Sequence, residues 1–209
     1  MKKMSAERIN KIYDFAIGKI PLEKAQVAVR LKYIAKDELK ICQFIAFIYN
    51  RQLLYRFSDK AIEKLINHIE TPKYAKWILR FNLPYNRTKL VGLVSKDAIL
   101  SADALCDQLP LTLVESNKLF AATVKNPQAI IRVLSSIYKL DDSKKEIILK
   151  NYNSIKSLLS LFNVQVINNT YMKGEDKDKY LMVINKCINI VSQIKEENQW
   201  NINIFLILQ

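Results

Sequence analysis

The sequence has very few of the residues that form tight turns, with 3 Gly and 5 Pro among 209 residues. Sheet folds with many tight corners depend on glycine, because glycine adopts positive φ without a steric cost. A β-sandwich or a doubly wound sheet is therefore not expected. The scarcity of turn-forming residues predicts an all-α fold.

Catalytic and cofactor-binding motifs are scarce as well. The chain has 1 histidine, His68, which excludes sites that need two, such as an HExxH zinc site. We expect His68 to lie at a core boundary with its ring packed and its nitrogens toward water. The glycines at 18, 92 and 174 do not form a phosphate-binding loop. The acidic run from Glu175 to Asp178 lacks the glycine and glutamate spacing of a calcium loop. We predict no catalytic residue, no metal and no cofactor, and hence a non-enzymatic protein.

The cysteines and apolar runs indicate where the protein resides. Cys42, Cys106 and Cys187 each interrupt an apolar run and form no CxxC pair, which predicts reduced, buried thiols and a cytoplasmic location. The richest apolar run, 41–54, contains four polar residues and is shorter than the ~18 residues of a membrane span. Glu7 and Arg8 come before any apolar stretch, so no signal peptide is expected.

Apolar residues recur at helical spacing along the chain, with polar residues on the opposite side. Each such stripe predicts an amphipathic helix that must bury its apolar side against another element. The clearest stripes are Ala61, Ile62, Leu65, Ile66 and Ile69; Ala129, Ile130, Val133, Leu134 and Ile137; Ile155, Leu158, Leu159 and Phe162; and Tyr180, Ile184, Cys187, Ile188 and Val191.

Capping residues and prolines mark a repeating unit. Thr71-Pro72 and Asn126-Pro127 each place proline at a first helical position, and capping residues recur before 97 and 154, so helices are predicted to start near 72, 97, 127 and 154. Leu83-Pro84, Leu109-Pro110 and Leu140-Asp141-Asp142 introduce a second helix within each unit. Helix pairs repeating at this distance predict helical hairpins in an α-solenoid-like stack. The alternative is an irregular right-handed stack or bundle in which the helix lengths coincide.

The flanks of the repeat differ from it, which predicts three regions. Residues 1–57 form an N-terminal cap of three helices over 6–18, 21–35 and 38–57, the last capped by Asp37, and residues 58–163 contain the helical hairpins. Residues 164–209 contain a long helix over about 177–195.

Two β-rich runs, Val164–Asn169 and Asn203–Leu208, lie in this last region. They form either a small hairpin or, as we favour, a loop and a terminal helix. The apolar tail from Ile204 to Leu208 either closes its own core, which we favour, or docks on a partner.

The charge is strongly positive and unevenly distributed. The chain has 33 Lys+Arg and 20 Asp+Glu, a net charge of +13, and residues 1–100 alone have 20 and 9. Lys73, Lys76 and Arg80 share one face of the predicted 72–81 helix, with Trp77 at its edge. This face is a candidate platform for phosphates and stacked bases, or a solvated face, in which case Trp77 belongs to the core. The candidate polyanion- or partner-binding residues are Lys32, Lys36, Lys40, Lys73, Lys76, Trp77, Arg80, Arg87 and Lys89.

Three functions are compatible with this pattern. We favour a helical-repeat adaptor that binds a protein partner, with an acidic surface fitting the charge. The first alternative is a nucleic-acid-binding helical domain that uses the basic residues of the first half. The second is a helical-repeat enzyme acting on nucleic acid, which needs a carboxylate in a concave pocket walled by Trp or Tyr.

Overall fold

The computed structural model describes residues 2–136 and 140–207, and within these ranges the side chains of all but residues 2–6, 8 and 201–207. Every regular element in the described ranges is helical, which confirms the all-α prediction. The chain forms two compact units, Met1–Lys96 and Asp97–Gln209. The region boundaries after residues 57 and 163 stay predictions.

The N-terminal unit contains six α-helices in its described residues. Its core includes a chain of edge-to-face aromatic contacts in which the Phe44 ring lies 5.4 Å from the rings of both Tyr13 and Phe57. Helix α2 packs against α1, α3 and α4, and α5 packs against α3 and α6. The helices are α1 (Lys2–Ala16), α2 (Lys24–Ile34), α3 (Glu38–Asn50), α4 (Asp59–Ile66), α5 (Pro72–Leu79) and α6 (Arg87–Val94), with a 3-10 turn at Leu54–Arg56 before α4.

The C-terminal unit is centred on its third helix. The described helices of this unit are α7 (Ala98–Cys106), α8 (Leu113–Thr123), α9 (Pro127–Ser136), α10 (Asp142–Lys150), α11 (Tyr152–Ile167) and α12 (Gly174–Ile207). Helix α9 contacts α7, α8, α11 and α12. Its predicted stripe is buried at Ala129, Ile130, Val133 and Leu134, while Ile137 lies outside the described residues.

Three of the four predicted helix starts are confirmed. Helices α5 and α9 begin at the prolines of Thr71-Pro72 and Asn126-Pro127, and α7 begins directly after Asp97, whose carboxylate accepts a hydrogen bond from the backbone of Leu100. The fourth start, near 154, is two residues late. Helix α11 begins at Tyr152 because Asn151 alone separates it from α10 and serves as the end of one helix and the start of the next. These residues support helical hairpins, and the solenoid arrangement of the hairpins stays a prediction.

The chain turns without glycine at several corners. Gln52, Asn82, Asn86 and Gln108 all have φ between 48° and 56°, the left-handed region that glycine usually occupies. After α3 and α7 the chain closes with the hydrogen bonds Leu53 N to Ile48 O and Leu109 N to Ala104 O, the six-residue closure of a Schellman motif. Glutamine therefore fills the usual glycine position at the ends of two helices. Helix α3 ends at Asn50 for this reason, earlier than the predicted 57.

The C-terminal region is more helical than predicted. Residues Val164 to Ile167 belong to α11 instead of a loop or a strand, and Val166 is the buried member of this run. The predicted helix over 177–195 is longer, because α12 runs from Gly174 to Ile207. The terminal run is thus helical through Ile207. The burial of the tail from Ile204 to Leu208 is outside the described side chains and stays a prediction.

The cysteines agree with the expectation of reduced thiols. All three are free, with Cys42 and Cys187 buried and Cys106 half-buried. Burial, with the carboxylate of Glu38 nearby, raises the pKa of Cys42 to about 12, and burial raises the pKa of Cys187 to about 11. Both thiols are therefore protonated near neutral pH and poorly suited to act as nucleophiles.

Candidate partner-binding groove

Helix α4 of the N-terminal unit has two polar sides, and one of them is bound to the first turn of α6 and the two residues before that helix. The Tyr85 hydroxyl donates a hydrogen bond to the carboxylate of Asp59 at 2.5 Å. The amide of Asn86 donates to the backbone oxygen of Glu63, and the ammonium group of Lys89 donates to the backbone oxygen of Asn67. Because 59, 63 and 67 recur every four residues, these bonds hold one side of α4 along its whole length.

The bond to Asp59 changes the titration of Tyr85. The hydrogen bond from its hydroxyl to the carboxylate, with further contributions from partial burial and from the charges of Asp59 and Glu63, raises the pKa of Tyr85 to about 12. Tyr85 therefore stays a hydrogen-bond donor throughout the physiological pH range.

The other side of α4 faces α2 across an open groove of about 490 Å³. Helix α4 contributes residues 60, 61, 64 and 65 and the turn after it contributes 68, while α2 contributes 28, 31 and 32 and the turn after it contributes 35 and 36. Both sets follow the three- and four-residue spacing of a single helix face. The α2–α4 groove is lined by Ala28, Leu31, Lys32, Ala35, Lys36, Ser58, Lys60, Ala61, Lys64, Leu65 and His68.

The groove has an apolar floor and a basic rim. Leu31 and Leu65 are buried in the floor, and three alanines lie beside them. The four lysines at positions 32, 36, 60 and 64 are exposed, so their aliphatic stems line the walls while the ammonium groups reach water. None of the groove residues is acidic, and among the described residues no carboxylate forms an ion pair with these lysines. The groove therefore combines apolar surface with concentrated positive charge.

His68 closes one end of the groove. Its Nδ1 atom lies 2.8 Å from the backbone oxygen of Lys64, and since a carbonyl oxygen only accepts, Nδ1 carries the proton. His68 is exposed, and one of its nitrogens bonds the backbone, whereas the sequence led us to expect both nitrogens toward water.

The structure places the predicted basic residues in several environments. Lys32 and Lys36 line the α2–α4 groove, and the ammonium group of Lys36 lies 5.1 Å from the centre of the Tyr33 ring. Lys40 forms an ion pair with Asp37 at 3.8 Å. The remaining six lie on α5 and α6, except that Arg80 directly follows α5, which ends at Leu79 and not at the predicted 81. Lys73 and Arg80 are exposed, Lys76 and Trp77 are half-buried, Arg87 donates to the Asn82 side chain at 3.3 Å, and Lys89 bonds Asn67.

Besides the apolar floor and Ser58, sequence reasoning missed the three other ionisable residues of the groove, namely Lys60, Lys64 and His68. The helical stripe that identified the buried side of α4 assigned Lys60 and Lys64 to the opposite, polar side and His68 to the core boundary. A signal was present, since Lys32 and Lys36 and likewise Lys60 and Lys64 are pairs of lysines four residues apart. The sequence does not show that these two pairs face each other.

Metal-binding clusters and membrane-spanning helices are absent from the described part of the chain. Residues 2–136 and 140–207 contain no cluster of three or more His, Cys, Asp or Glu side chains arranged to bind a metal ion. Over the same residues, no helix combines the length and the apolar character that crossing a bilayer requires. No family model, curated protein or solved structure matches this chain.

Proposed function

We propose that this chain is a non-enzymatic interaction module whose N-terminal unit binds an acidic segment of a protein partner in the α2–α4 groove. The observation that carries this proposal is the apolar floor surrounded by four lysines without a carboxylate among the lining residues. The positive charge attracts an acidic segment, and the floor gains free energy when apolar side chains cover it. The unit as a whole is basic, with 20 Lys+Arg against 8 Asp+Glu over residues 1–96, which speeds association with an acidic partner.

The chemistry of the groove favours a polypeptide over nucleic acid. Single strands bind through phosphates and through bases that stack on aromatic rings, and the groove lining contains no Phe, Tyr or Trp. A polypeptide offers both carboxylates for the rim and aliphatic side chains for the floor. The lining also lacks the carboxylate that a base-processing enzyme needs.

The test compares two fourfold charge-reversal variants with the same net charge. The groove variant changes Lys32, Lys36, Lys60 and Lys64 to Glu, and the control variant changes four exposed lysines of the C-terminal unit, Lys118, Lys125, Lys173 and Lys179. The probes are fluorescent peptides rich in Glu and Leu and a single-stranded DNA of about 20 nucleotides, longer than the roughly 4–16 nucleotides that one single-strand-binding module covers.

We expect the groove variant to lose peptide binding by at least about tenfold, because four rim charges are reversed, while the control variant keeps it within about twofold. If the affinity for the peptides falls equally in both variants, binding depends only on the net charge of the protein, and the proposal is contradicted. Binding of DNA that is tighter than that of the peptides and depends on the four groove lysines favours the nucleic-acid alternative.

A further inference from the structure

The geometry points to an amphipathic α-helix, acidic on both flanks of its apolar stripe, as the form in which the partner segment occupies the α2–α4 groove. This inference rests on the proposed function and specifies the conformation and pattern of the partner. It follows from three features of the groove: the backbone of its walls, the size of its floor residues and the spacing of its lysines.

The walls of the groove are the sides of two helices. In the interior of α2 and α4 the N–H and C=O groups are bonded within their own helices, so the two walls offer an incoming chain no continuous row of backbone partners. An extended segment obtains such a row only at the edge of a sheet, and over the apolar floor its own backbone groups would lose water without replacement. A helical segment satisfies its backbone internally and presents side chains alone.

The floor leaves room for a third helix. Ala28 and Ala35 lie seven residues apart on the α2 side, two turns along the helix, and Ala61 lies on the α4 side. Small side chains at these points let apolar residues of a neighbouring helix reach Leu31 and Leu65 at the usual interaxial distance of about 8–10 Å. The lining residues on each side span nine residues, 28–36 and 60–68, which is roughly 12 Å at helical rise and matches about two turns of a bound helix.

The lysines fix where the acidic residues of the partner belong. Lys32 and Lys36 on one side and Lys60 and Lys64 on the other are each four residues apart, a spacing of about 6 Å along a helix. Glutamates four residues apart on each flank of a helix have the same spacing, so both rows meet the rim when the apolar stripe faces the floor. The expected partner therefore has apolar residues at i, i+3 or i+4 and i+7, with Asp or Glu on both sides of them.

Two peptides of identical composition test whether the groove requires a helical partner or binds any acidic partner. The first is an amphipathic peptide of about 16 residues with leucines at i, i+4 and i+7 and glutamates on both flanks. The second has the same residues rearranged into the alternating pattern of a strand. We expect the first to bind at least about tenfold more tightly and to gain helical circular dichroism on binding, because only its leucines share one helix face.

A matched pair of protein variants tests whether the floor is the contact surface. Ala28 and Ala25 are both exposed alanines of α2, and Ala28 lines the groove while Ala25 does not. Glutamine is compatible with a helix at both positions, so Ala28→Gln and Ala25→Gln should fold alike, as checked by circular dichroism and thermal unfolding. We expect Ala28→Gln to lower the affinity for the amphipathic peptide by about fivefold or more, because it obstructs the floor. Ala25→Gln should change this affinity by less than about twofold.

The outcomes distinguish the inference from the function on which it rests. If both peptides bind equally and both depend on the groove lysines, the helical form is wrong while the acidic partner stands. If neither peptide depends on the groove lysines, the proposed function falls as well. Tighter, lysine-dependent binding of single-stranded DNA or of phosphatidylserine vesicles replaces the helical partner with that ligand. Equal effects of Ala28→Gln and Ala25→Gln overturn the docking of a helix on the floor.

Discussion

Replacing Lys60 by glutamate should stabilise the N-terminal unit although it weakens partner binding. Lys60 is the second residue of α4, where backbone N–H groups lack helical partners and the helix dipole is positive. A lysine there is unfavourable by about 0.3–1 kcal/mol when exposed, and a carboxylate is favourable by a similar amount. The substitution removes the first effect and adds the second.

The neighbours of Lys60 on the helix surface contribute little to the balance. Glu63 lies three residues later and Lys64 four residues later, and they have opposite charges. Reversing the charge at position 60 therefore changes two pair interactions of about 0.2–0.5 kcal/mol in opposite directions. The dipole effect remains, and we expect the free energy of unfolding to rise by about 1 kcal/mol at low ionic strength.

Lys64→Glu is the matched control, because it makes the same charge change on the same rim of the groove. Lys64 lies in the last turn of α4, where a carboxylate meets the negative end of the dipole. The attraction between the new carboxylate at position 64 and Lys60 offsets part of this unfavourable interaction with the dipole, so the free energy of unfolding should fall by about 0–0.5 kcal/mol. Both variants should weaken binding of the amphipathic peptide by a similar factor.

Urea unfolding measured by tryptophan fluorescence provides the assay. The chain has 2 Trp, with Trp77 in the N-terminal unit and exposed Trp200 in the C-terminal unit, so a Trp200→Phe background makes Trp77 the reporter. The difference between the two variants should shrink by more than half at about 1 M salt, where the screening length is about 3 Å. If Lys64→Glu stabilises the unit as much as Lys60→Glu, the change in stability follows net charge and not the position in the helix, and the prediction is refuted.

Three further predictions follow from the turns, the thiols and the basic face of α5. Gln52→Gly should raise the free energy of unfolding by about 0.5–1 kcal/mol because residue 52 has positive φ, whereas Gln43→Gly inside α3 should lower it by a similar amount. If urea unfolding shows that both substitutions change this free energy in the same direction, the left-handed turn is contradicted. A thiol reagent at neutral pH should label half-buried Cys106 first, and buried Cys42 and Cys187 should react only as the chain unfolds. Rapid labelling of all three thiols would contradict the burial of the helix faces that contain them. If α5 binds single-stranded DNA, Trp77→Ala should weaken binding by about 1–3 kcal/mol. Changing Lys73, Lys76 and Arg80 together to Glu should lower the slope of log affinity against log salt concentration by roughly two to three. A wild-type protein without salt-dependent DNA binding would exclude this site.

Local signals predicted local structure well. Thr71-Pro72 and Asn126-Pro127 marked helix starts to the residue, because a cap and a proline act within one turn of their own position. The carboxylate of Asp37 likewise accepts hydrogen bonds from the backbone of Leu39 and Lys40 at the start of α3, as its position predicted. The scarcity of glycine indicated the fold class, although it did not show that glutamine and asparagine make the left-handed turns.

The groove was not predictable in the same way, because it depends on the packing of α2 against α4. Lys32 and Lys60 are 28 residues apart in the chain, and the spacing within each helix does not contain that pairing. Trp77 illustrates a related limit. A residue about 40° from the basic side of a helix lies near the boundary of its apolar arc, and the half-burial of Trp77 depends on the neighbouring helices.

The three hydrogen bonds on the far side of α4 bear on the entropy of binding. Because Tyr85, Asn86 and Lys89 hold positions 59, 63 and 67, the short helix has little freedom to rotate about its axis or to fray at one end. The wall of the groove is thus preorganised, and a partner gains affinity without ordering its receptor. The ordering falls on the partner segment instead, so the strength of binding should follow the helical propensity of that segment outside the contact face, a property that can be varied without changing any residue of this chain.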